Sequence, residues 1–568
     1  MSSKNTRKSR NDQNARSFDG GKQGLAITEL GGVTFHHPRA FWFGAAAATA
    51  GVILHLPMYI GARDMGYRLA GMPMDAPMMM GMALIIVGLV ASLYGLYPPS
   101  AHSTAAFASR ISVRAMDEAP ILPVHLGLLV VMAIAVTIDV MKPTTLAFVV
   151  PGMAQEYGLR SPLNPAGEVP VAYLPLSGIT GTVIGSFLWG WLGDRIGRRA
   201  SVLFAGIIFI TTSICGSMPG YLWNFLMCFI MGLGVGGMLP ITYALLAETI
   251  PARHRGWLMV LIGGDIAAAY IITSWLAAEL VPEFSWRILW LLGLPTGVLL
   301  ILLNRWIPES PRYLLANGRD AEARAVMERY GAKIVEQAEP GLAAEREVKS
   351  EWLQLARKPL LPLSVVVGLL GIGVGLVLFG FNLWIPSNLR KLGFNEVTAD
   401  VILRDSALIG LPFTVLVAWM YGFWSSKKTI MLLVALTAAA LFGFVVVGDE
   451  VAKNRVLLYT LLVLPIWGIN TVVAVLSVYS SEIYPTRIRS RGTGFCAGAS
   501  KAGGVLIIAL VAFGIAPPSI ADIALIGAIP LTLALLAVAL FGVETRKRRL
   551  EEITAEEFKE SAPAARGT

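Results

Sequence analysis

Long apolar runs separated by short polar and basic segments dominate this chain. Stretches such as "ILPVHLGLLVVMAIAVTI" and "LTLALLAVALFGV" contain almost no charge. Runs of about 18 or more apolar residues form membrane-spanning helices, because in lipid each segment must satisfy its own backbone hydrogen bonds. The pattern predicts two leading spans near 41–61 and 76–97, then six spans between 121 and 308. A polar stretch covers about 312–359, and six more spans follow between 360 and 543. The prediction is an all-α membrane protein of fourteen spans in a 2 + 6 + 6 arrangement.

The two six-span blocks are of nearly equal length and read as pseudo-repeats. Such repeats occur in secondary transporters, with the substrate site near mid-membrane where the halves meet. Seven segments follow: a tail (1–40), a transmembrane hairpin (41–97), an amphipathic linker (98–120), a first six-helix bundle (121–311), a polar helical linker (312–359), a second bundle (360–543) and a tail (544–568). Residues 1–24 and 558–568 have the small, polar composition of disordered chain.

Composition agrees. The chain has 568 residues, 55% of them hydrophobic and only 15% charged, with mean hydropathy +0.64. A soluble domain carries about a quarter charged residues. The net charge of +9 is concentrated in alternate connections: "GDRIGRR" (193–199), "PARHRG" (251–256), "SSKK" (425–428), "PTRIRSRG" (485–492) and "TRKRR" (545–549). Basic loops stay on the cytoplasmic side, so both termini are expected in the cytoplasm and the protein in the cell membrane. The charge belongs to these loops and not to nucleic-acid binding. The first 20 residues are polar and basic, so no cleavable signal peptide is expected. Cys215, Cys228 and Cys496 fall in or beside apolar spans and read as inert buried thiols.

One cluster occurs twice. In "AETIPARHRG" (247–256) and "SEIYPTRIRSRG" (481–492), Glu248, Pro251, Arg253 and Arg255 align with Glu482, Pro485, Arg487 and Arg489 at a spacing of 234 residues. The loop "GWLGDRIGRR" (190–199) offers Gly190 and Gly193 for close helix approach and Asp194 as a hydrogen-bond acceptor. Its Arg195, Arg198 and Arg199 hold it in the cytoplasm.

This loop closely resembles the signature of the major facilitator superfamily. "WIPESPRYLLANGR" (306–319), with Glu309 and Arg312, resembles the sugar-porter signature, and "VETRKRRLEEI" (543–553) resembles the same family's C-terminal one. "GLGVGGMLPITYALLAETIPARHRG" (232–256) is similar to the synaptic-vesicle-like and metabolite–proton symporter branches. The resemblance covers about 120–553 and leaves the leading hairpin outside. It implies the major facilitator fold and a cytoplasmic gate of paired Glu and Arg clusters that loosen when the inner side opens. The bland alternative for these clusters is helix capping, since Arg is favourable near a helix C-terminus. The second block's counterpart of the "GDRIGRR" loop, "YGFWSSKKTI" (421–430), lacks the acid.

Charge inside the membrane is expensive and marks function. Asp139 falls near the centre of core span 1, with Lys142 one turn further on. Asp265 in span 5 and Lys501 in span 11 each lie nine residues into their spans, which is ~13 Å at 1.5 Å per residue. Asp139 and Asp265 are candidate proton carriers, since a changing distance to a lysine moves a buried carboxyl between its two protonation states. Asp139 could instead make a static bond to Lys142. Lys142 and Lys501 could contact an anionic substrate or merely neutralise the acids. Asn382 with Trp384 in span 7 and Trp467 with Asn470 in span 10 are candidates for recognising substrate, or for helix packing and the interfacial belt. The family's usual span 4 Arg is replaced by Cys228, and the acid that often follows the double glycine is Met238, so its usual proton relay is incomplete here.

The glycines of "GLGVGG" and "GITGTVIGS" suit close helix packing. The Met-rich "GMPMDAPMMM" (71–80) lacks the Cys or His that a metal site would want. No GxxxxGK phosphate loop is present, nor a nucleophile–His pair. No enzyme activity, cofactor or metal is expected. The reading is a secondary transporter working as a monomer in the lipid bilayer, importing a small organic acid or similar metabolite with protons. A sugar or polyol uniporter, a drug–proton antiporter and a transport-dead sensor are its alternatives.

Overall fold

The computed structural model describes residues 28–548 and 550, except 31–32, 99–113, 161–163, 165, 335–350, 383–384, 386–388, 390–391, 395 and 513–518. Both tails expected to be disordered lie outside the described residues, as does most of the linker 98–120. Among the described residues, eleven helices are long and apolar enough to cross a membrane, from Pro38–Gly61 to Ile520–Phe541. Further helical stretches, Tyr173–Ile196, Asp265–Phe284 and Glu396–Trp419, lie between them.

The leading hairpin consists of α1 (Pro38–Ile53) and α2 (Ala76–Leu96), followed by a single-turn α3 (Arg114–Asp117). The first block contains α4 (Pro123–Glu156), α5 (Tyr173–Ile196), α6 (Arg198–Thr212), α7 (Tyr221–Thr249), α8 (Ala252–Gly263), α9 (Asp265–Phe284) and α10 (Gly293–Leu303). The second contains α11 (Leu361–Leu376), α12 (Glu396–Trp419), α13 (Ser426–Val447), α14 (Ile469–Ile483), α15 (Arg489–Ala512) and α16 (Ile520–Phe541). A two-stranded ribbon, β1 (Thr28–Leu30) and β2 (Val33–Phe35), precedes the hairpin.

Small residues set the packing. Glycines on α5 and α7 face each other so closely that a Cβ on Gly178 would stand 2.9 Å from Cys228 Sγ, and one on Gly236 2.6 Å from Ser186 N. The expected role of "GLGVGG" and "GITGTVIGS" is therefore the observed one: backbones meet where side chains would hold them apart. The leading hairpin repeats the device. Gly44 and Gly51 on α1 meet Gly81 and Gly88 on α2, each backbone 2.5–2.7 Å from where the other's Cβ would be. Their seven-residue spacing is two turns of helix, so they line one seam.

The hairpin packs over α6. Val52, Met78 and Ile85 pack with Ile210, Ile214 and Met218. Every residue of α6 is consequently buried, which removes this helix from lipid contact. The faces of other helices are lipid-ready, with Val90 and Val446 exposed among apolar neighbours.

Candidate functional site

The basic loops, the short helices after α10 and the chain after α16 gather at one end of the bundle. There the duplicated motif forms ion pairs between the two blocks. Glu248, at the end of α7, is fully buried; its Oε1 lies 3.1 Å from Arg198 Nη2 and 2.6 Å from Arg489 Nη1 of the second block. Glu482, at the end of α14, accepts from Arg255 Nε of the first block at 3.2 Å. The Tyr421 and Thr545 hydroxyls donate to its other oxygen at 2.8 and 2.6 Å. Each copy's second Arg thus holds the other copy's acid. Arg253 is exposed, and Arg487 is only partly buried.

The "GDRIGRR" loop supplies the third crossing. A Cβ on Gly190 would lie 2.8 Å from Ser490 O, and one on Gly193 3.2 Å from Ser490 Oγ, so these glycines let α5 abut the start of α15. Asp194 then accepts from the backbone N–H of Ser490 and Arg491, at 3.2 and 3.4 Å, and from Arg491 Nη1 at 3.1 Å. A carboxylate over the first N–H groups of a helix meets both unsatisfied donors and the positive end of the dipole. Asp194 therefore needs no counterpart in the second block, because that block supplies the helix end it caps. Arg195 bonds Tyr97, which closes α2, and its guanidinium stacks on Trp191 at 4.7 Å.

Two acids do parallel work away from the crossing. Glu309 accepts from the backbone N–H of Arg198 and Arg199 at 2.9 and 3.3 Å and so caps α6. Glu544 accepts from Ser426 N at 2.9 Å and from the Ser425 and Ser426 hydroxyls, capping α13. They stand 235 residues apart, one more than the spacing of the duplicated motif. Burial pushes the Glu309 carboxyl above the ordinary glutamate range. Burial also acts on Glu544, but its serine hydroxyl and backbone donors bring it below that range.

Asp117 is the residue that sequence reasoning passed over. It sits in the four-residue α3, buried, 3.3 Å from Arg255 and 2.5 Å from Arg312. Arg312 also donates to Glu248 O at 3.0 Å. Its motif, "RAMDEA", looked only amphipathic; the available signal was the adjacent acids Asp117 and Glu118 following Arg110 and Arg114.

Within the membrane, Asp139 is 2% exposed, and its Oδ1 has no hydrogen-bond donor. No bond joins it to Lys142. That ammonium points away from it, 5.6 Å over the Phe209 ring and beside Gly293, within the first block. It borders a small cavity with Thr145, Thr273 and Thr296. The cation whose charge reaches Asp139 is Lys501, on α15 of the second block. Lys501 in turn lies 5.8 Å over the Phe379 ring. Asp265 opens α9 after a break at Gly264; its side chain, like Trp384, lies outside the described residues.

The polar candidates of the second block lie at short π-helical turns, Val377–Phe381 and Leu464–Gly468. Such turns are frequent at functional sites. Asn382 follows the first, with its Oδ1 buried and unpartnered. Trp467 lies in the second, donating to Thr414 Oγ1 at 3.0 Å, and Asn470 donates to Ile466 O at 2.8 Å. Trp467 thereby ties α12 to its neighbour, and Asn470 satisfies its own helix.

Two helix blocks clasped at one end by reciprocal ion pairs, with a buried, unpartnered acid in the interior, suit a multi-pass membrane transporter. Comparison with known proteins agrees. The model of the sugar (and other) transporter family matches residues 172–556, and the chain belongs to that family. The niacin transporter NiaP of Acinetobacter baylyi is 26% identical over 455 residues, 78% of this chain and 99% of its own. The 4-hydroxybenzoate transporter PcaK of the same organism is 24% identical over 399 residues, 69% of this chain and 85% of its own. Among solved structures, the proton:xylose symporter XylE bound to 6-bromo-6-deoxy-D-glucose has a TM-score of 0.62 at 20% identity, covering 76% of this chain and 99% of that one. The fold is that of the major facilitator superfamily.

Proposed function

We propose that this transporter is a proton-coupled symporter of a small organic acid, an aromatic monocarboxylate first of all, that works by alternating access. Fourteen spans, with both termini in the cytoplasm of a cell-membrane monomer, complete this reading. The inter-block lattice of Glu248, Glu482 and Asp194 is then the cytoplasmic gate in its closed state.

The observation that carries the coupling is the placement of Asp139. A buried carboxylate with an unpartnered oxygen and a cation facing it across the blocks holds a proton or releases it as the blocks move. A changing distance to a lysine moves a buried carboxyl between its two protonation states. Lys501 is the residue to meet the substrate carboxylate, and the Phe379 ring beside it suits a flat solute. A substrate anion that occupies Lys501 leaves Asp139 unpaired and so favours its protonation, which ties the two loads together. Similarity to carriers named for niacin and 4-hydroxybenzoate supports an aromatic acid as the load. Similarity to a proton:xylose symporter supports proton use.

The test is uptake of labelled nicotinate and 4-hydroxybenzoate into proteoliposomes under an imposed inward proton gradient. Accumulation that a protonophore collapses, and that Asp139→Asn abolishes while exchange of internal for external substrate persists, is the expected result. Facilitated entry that ignores the gradient would instead make the protein a uniporter.

A further inference from the structure

The stretch that follows α16 carries two exposed cations, Arg546 and Lys547, with no ion-pair partner among the described residues. The same holds of Lys428 at the start of α13 and Arg253 at the start of α8. They converge on a group of aromatic rings. Lys547 Nζ lies 5.6 Å over Phe423, and Lys428 Nζ lies 5.9 Å over Trp424. Arg546 Nη1 donates to Phe423 O at 2.6 Å. The Phe423 and Trp257 centroids are 6.4 Å apart, and Trp257 donates to His254 at 3.3 Å. His254, within reach of the charges of Arg253 and Lys547, is held below the ordinary histidine range first by burial and then by those cations.

The depth of this patch is fixed by its helices. Phe423 and Trp424 close the helical segment that extends α12, α13 begins at Ser426, and both rings are exposed, by 41% and 43%. They therefore lie where two helices leave the hydrocarbon, with cations immediately beyond. Exposed aromatic rings at that level next to basic side chains match a phospholipid: acyl and ester groups beside the rings, phosphate beside the cations.

The internal repeat makes the same point independently. Glu309 and Glu544 cap α6 and α13 in the two blocks, so Arg312 and Lys547, each three residues further on, are counterparts. Arg312 is neutralised by Asp117, which the linker after the leading hairpin contributes. No protein carboxylate pairs with Lys547 among the described residues.

We infer that an anionic glycerophospholipid binds here, with its phosphate between Lys428, Arg546 and Lys547 and its chains along Phe423, Trp424 and Trp257. The same tail reaches the lattice: Thr545 donates to Glu482 at 2.6 Å, and Arg255 Nη2 donates to Arg548 O at 2.7 Å. A lipid that fixes Lys547 therefore fixes the Arg255–Glu482 crossing.

The experiment uses the full chain in neutral detergent, titrated separately with phosphatidylglycerol, phosphatidylcholine and inorganic phosphate. It reads retained lipid by native mass spectrometry and the melting temperature. Phosphatidylglycerol alone is expected to be retained and to raise the melting temperature. Lys428→Gln/Lys547→Gln should lose about tenfold or more of that affinity, each surface cation being worth ~1 kcal/mol toward an anionic headgroup. Lys428→Arg/Lys547→Arg should keep it, and neither variant should shift the lipid-free melting temperature by more than a degree or two. Equal retention of phosphatidylcholine, an equal rise with inorganic phosphate, or undiminished phosphatidylglycerol binding in the Gln variant would each overturn the inference.

Discussion

Arg489 Nη1 stands 2.6 Å from Glu248 Oε1, while Arg255, at the same place in the other copy of the motif, stands 3.2 Å from Glu482. The two copies have exchanged their acids across the boundary between the blocks. A chain with one copy could make half of this lattice at most. Duplication gives a reciprocal clasp that joins the two blocks through both copies of the motif.

The exchange predicts strong coupling between partners. Removing one member of a buried pair leaves an uncompensated charge and typically costs about 3–5 kcal/mol. Arg489→Gln and Glu248→Gln should each lower the melting temperature of the detergent-solubilised protein sharply. The double variant should be less damaged than the sum, with a coupling of about 1–3 kcal/mol. A thermal-unfolding cycle over the four proteins measures this, and strict additivity would disprove the pairing.

Much of this arrangement was legible in the sequence, because lipid imposes length and apolarity on every span. Hydropathy predicted leading spans near 41–61 and 76–97, where the apolar helices Pro38–Gly61 and Ala76–Leu96 lie. Of the residues the duplicated motif marked, Glu248, Arg255, Glu482 and Arg489 lie in the inter-block ion pairs, whereas Arg253 is exposed and Arg487 only partly buried. Partner identity was not legible, since spacing along the chain says nothing about which copy an arginine faces. Asp194 shows why. Its missing counterpart looked like a broken symmetry, yet it caps a helix of the other block.

Three further features escaped for local reasons. Asp117 lies on a single turn of helix, too short for a periodic signal. The π-helical turns beside Asn382 and Trp467 come from backbone packing, which composition does not encode. The proximity of Asp139 to Lys142 in sequence suggested a bond. One turn of helix permits it, but Lys142 turns to Phe209 and Gly293 on its own block instead. The glycine seam of the hairpin, by contrast, was available as the seven-residue spacing of Gly81, Gly88 and Gly95.

Gly190 should tolerate nothing larger. An added Cβ meets Ser490 O and Arg491 Cα at 2.8 and 3.0 Å, both backbone atoms that cannot step aside. Overpacking of this kind costs about 1–3 kcal/mol, and here it falls only on the arrangement in which α5 touches α15. In a Ser490→Cys background, Gly190→Ala should therefore raise labelling by a bulky thiol reagent reaching that end of the protein by about fivefold or more. Unchanged labelling would mean that the contact does not limit access.

Glu309 and Glu544 do the same capping work but should respond to pH with opposite sign. Glu309 sits above its ordinary value of 4.5, so its favourable contribution is complete below that value and is lost as pH rises through the folded value. Glu544 sits below 4.5, so its contribution is present above the ordinary value and is lost as pH falls through the folded one. In a melting-temperature series from pH 3.5 to about 8, the deficit of Glu544→Gln relative to the parent should grow with pH. Glu309→Gln should do relatively better as pH rises. Parallel curves for the two variants would refute the assignment.

The leading hairpin should depend on one carboxylate at the opposite end of the bundle. Glu156, the last residue of α4, accepts from the backbone N–H groups of Leu69 and Ala70 in the hairpin loop at 2.8 and 3.1 Å. It also accepts from Arg287 Nη2 at 2.7 Å and from Trp286 Nε1 at 2.9 Å. One acid therefore joins the hairpin, α4 and the start of the last helical segment of the first block. Glu156→Ala removes the anchor, orphans two backbone donors and leaves the fully buried Arg287 without its acid. Its cost should approach the 3–5 kcal/mol typical of a broken buried pair, and the 62–75 loop should become a protease target. The Glu156→Ala/Arg287→Met variant separates the two effects. It relieves the stranded cation and should recover much of the melting temperature, yet the loop should still be cut, because Leu69 and Ala70 have lost their acceptor. A loop as resistant as the parent's in both variants would show that the glycine seam between α1 and α2 holds the hairpin unaided.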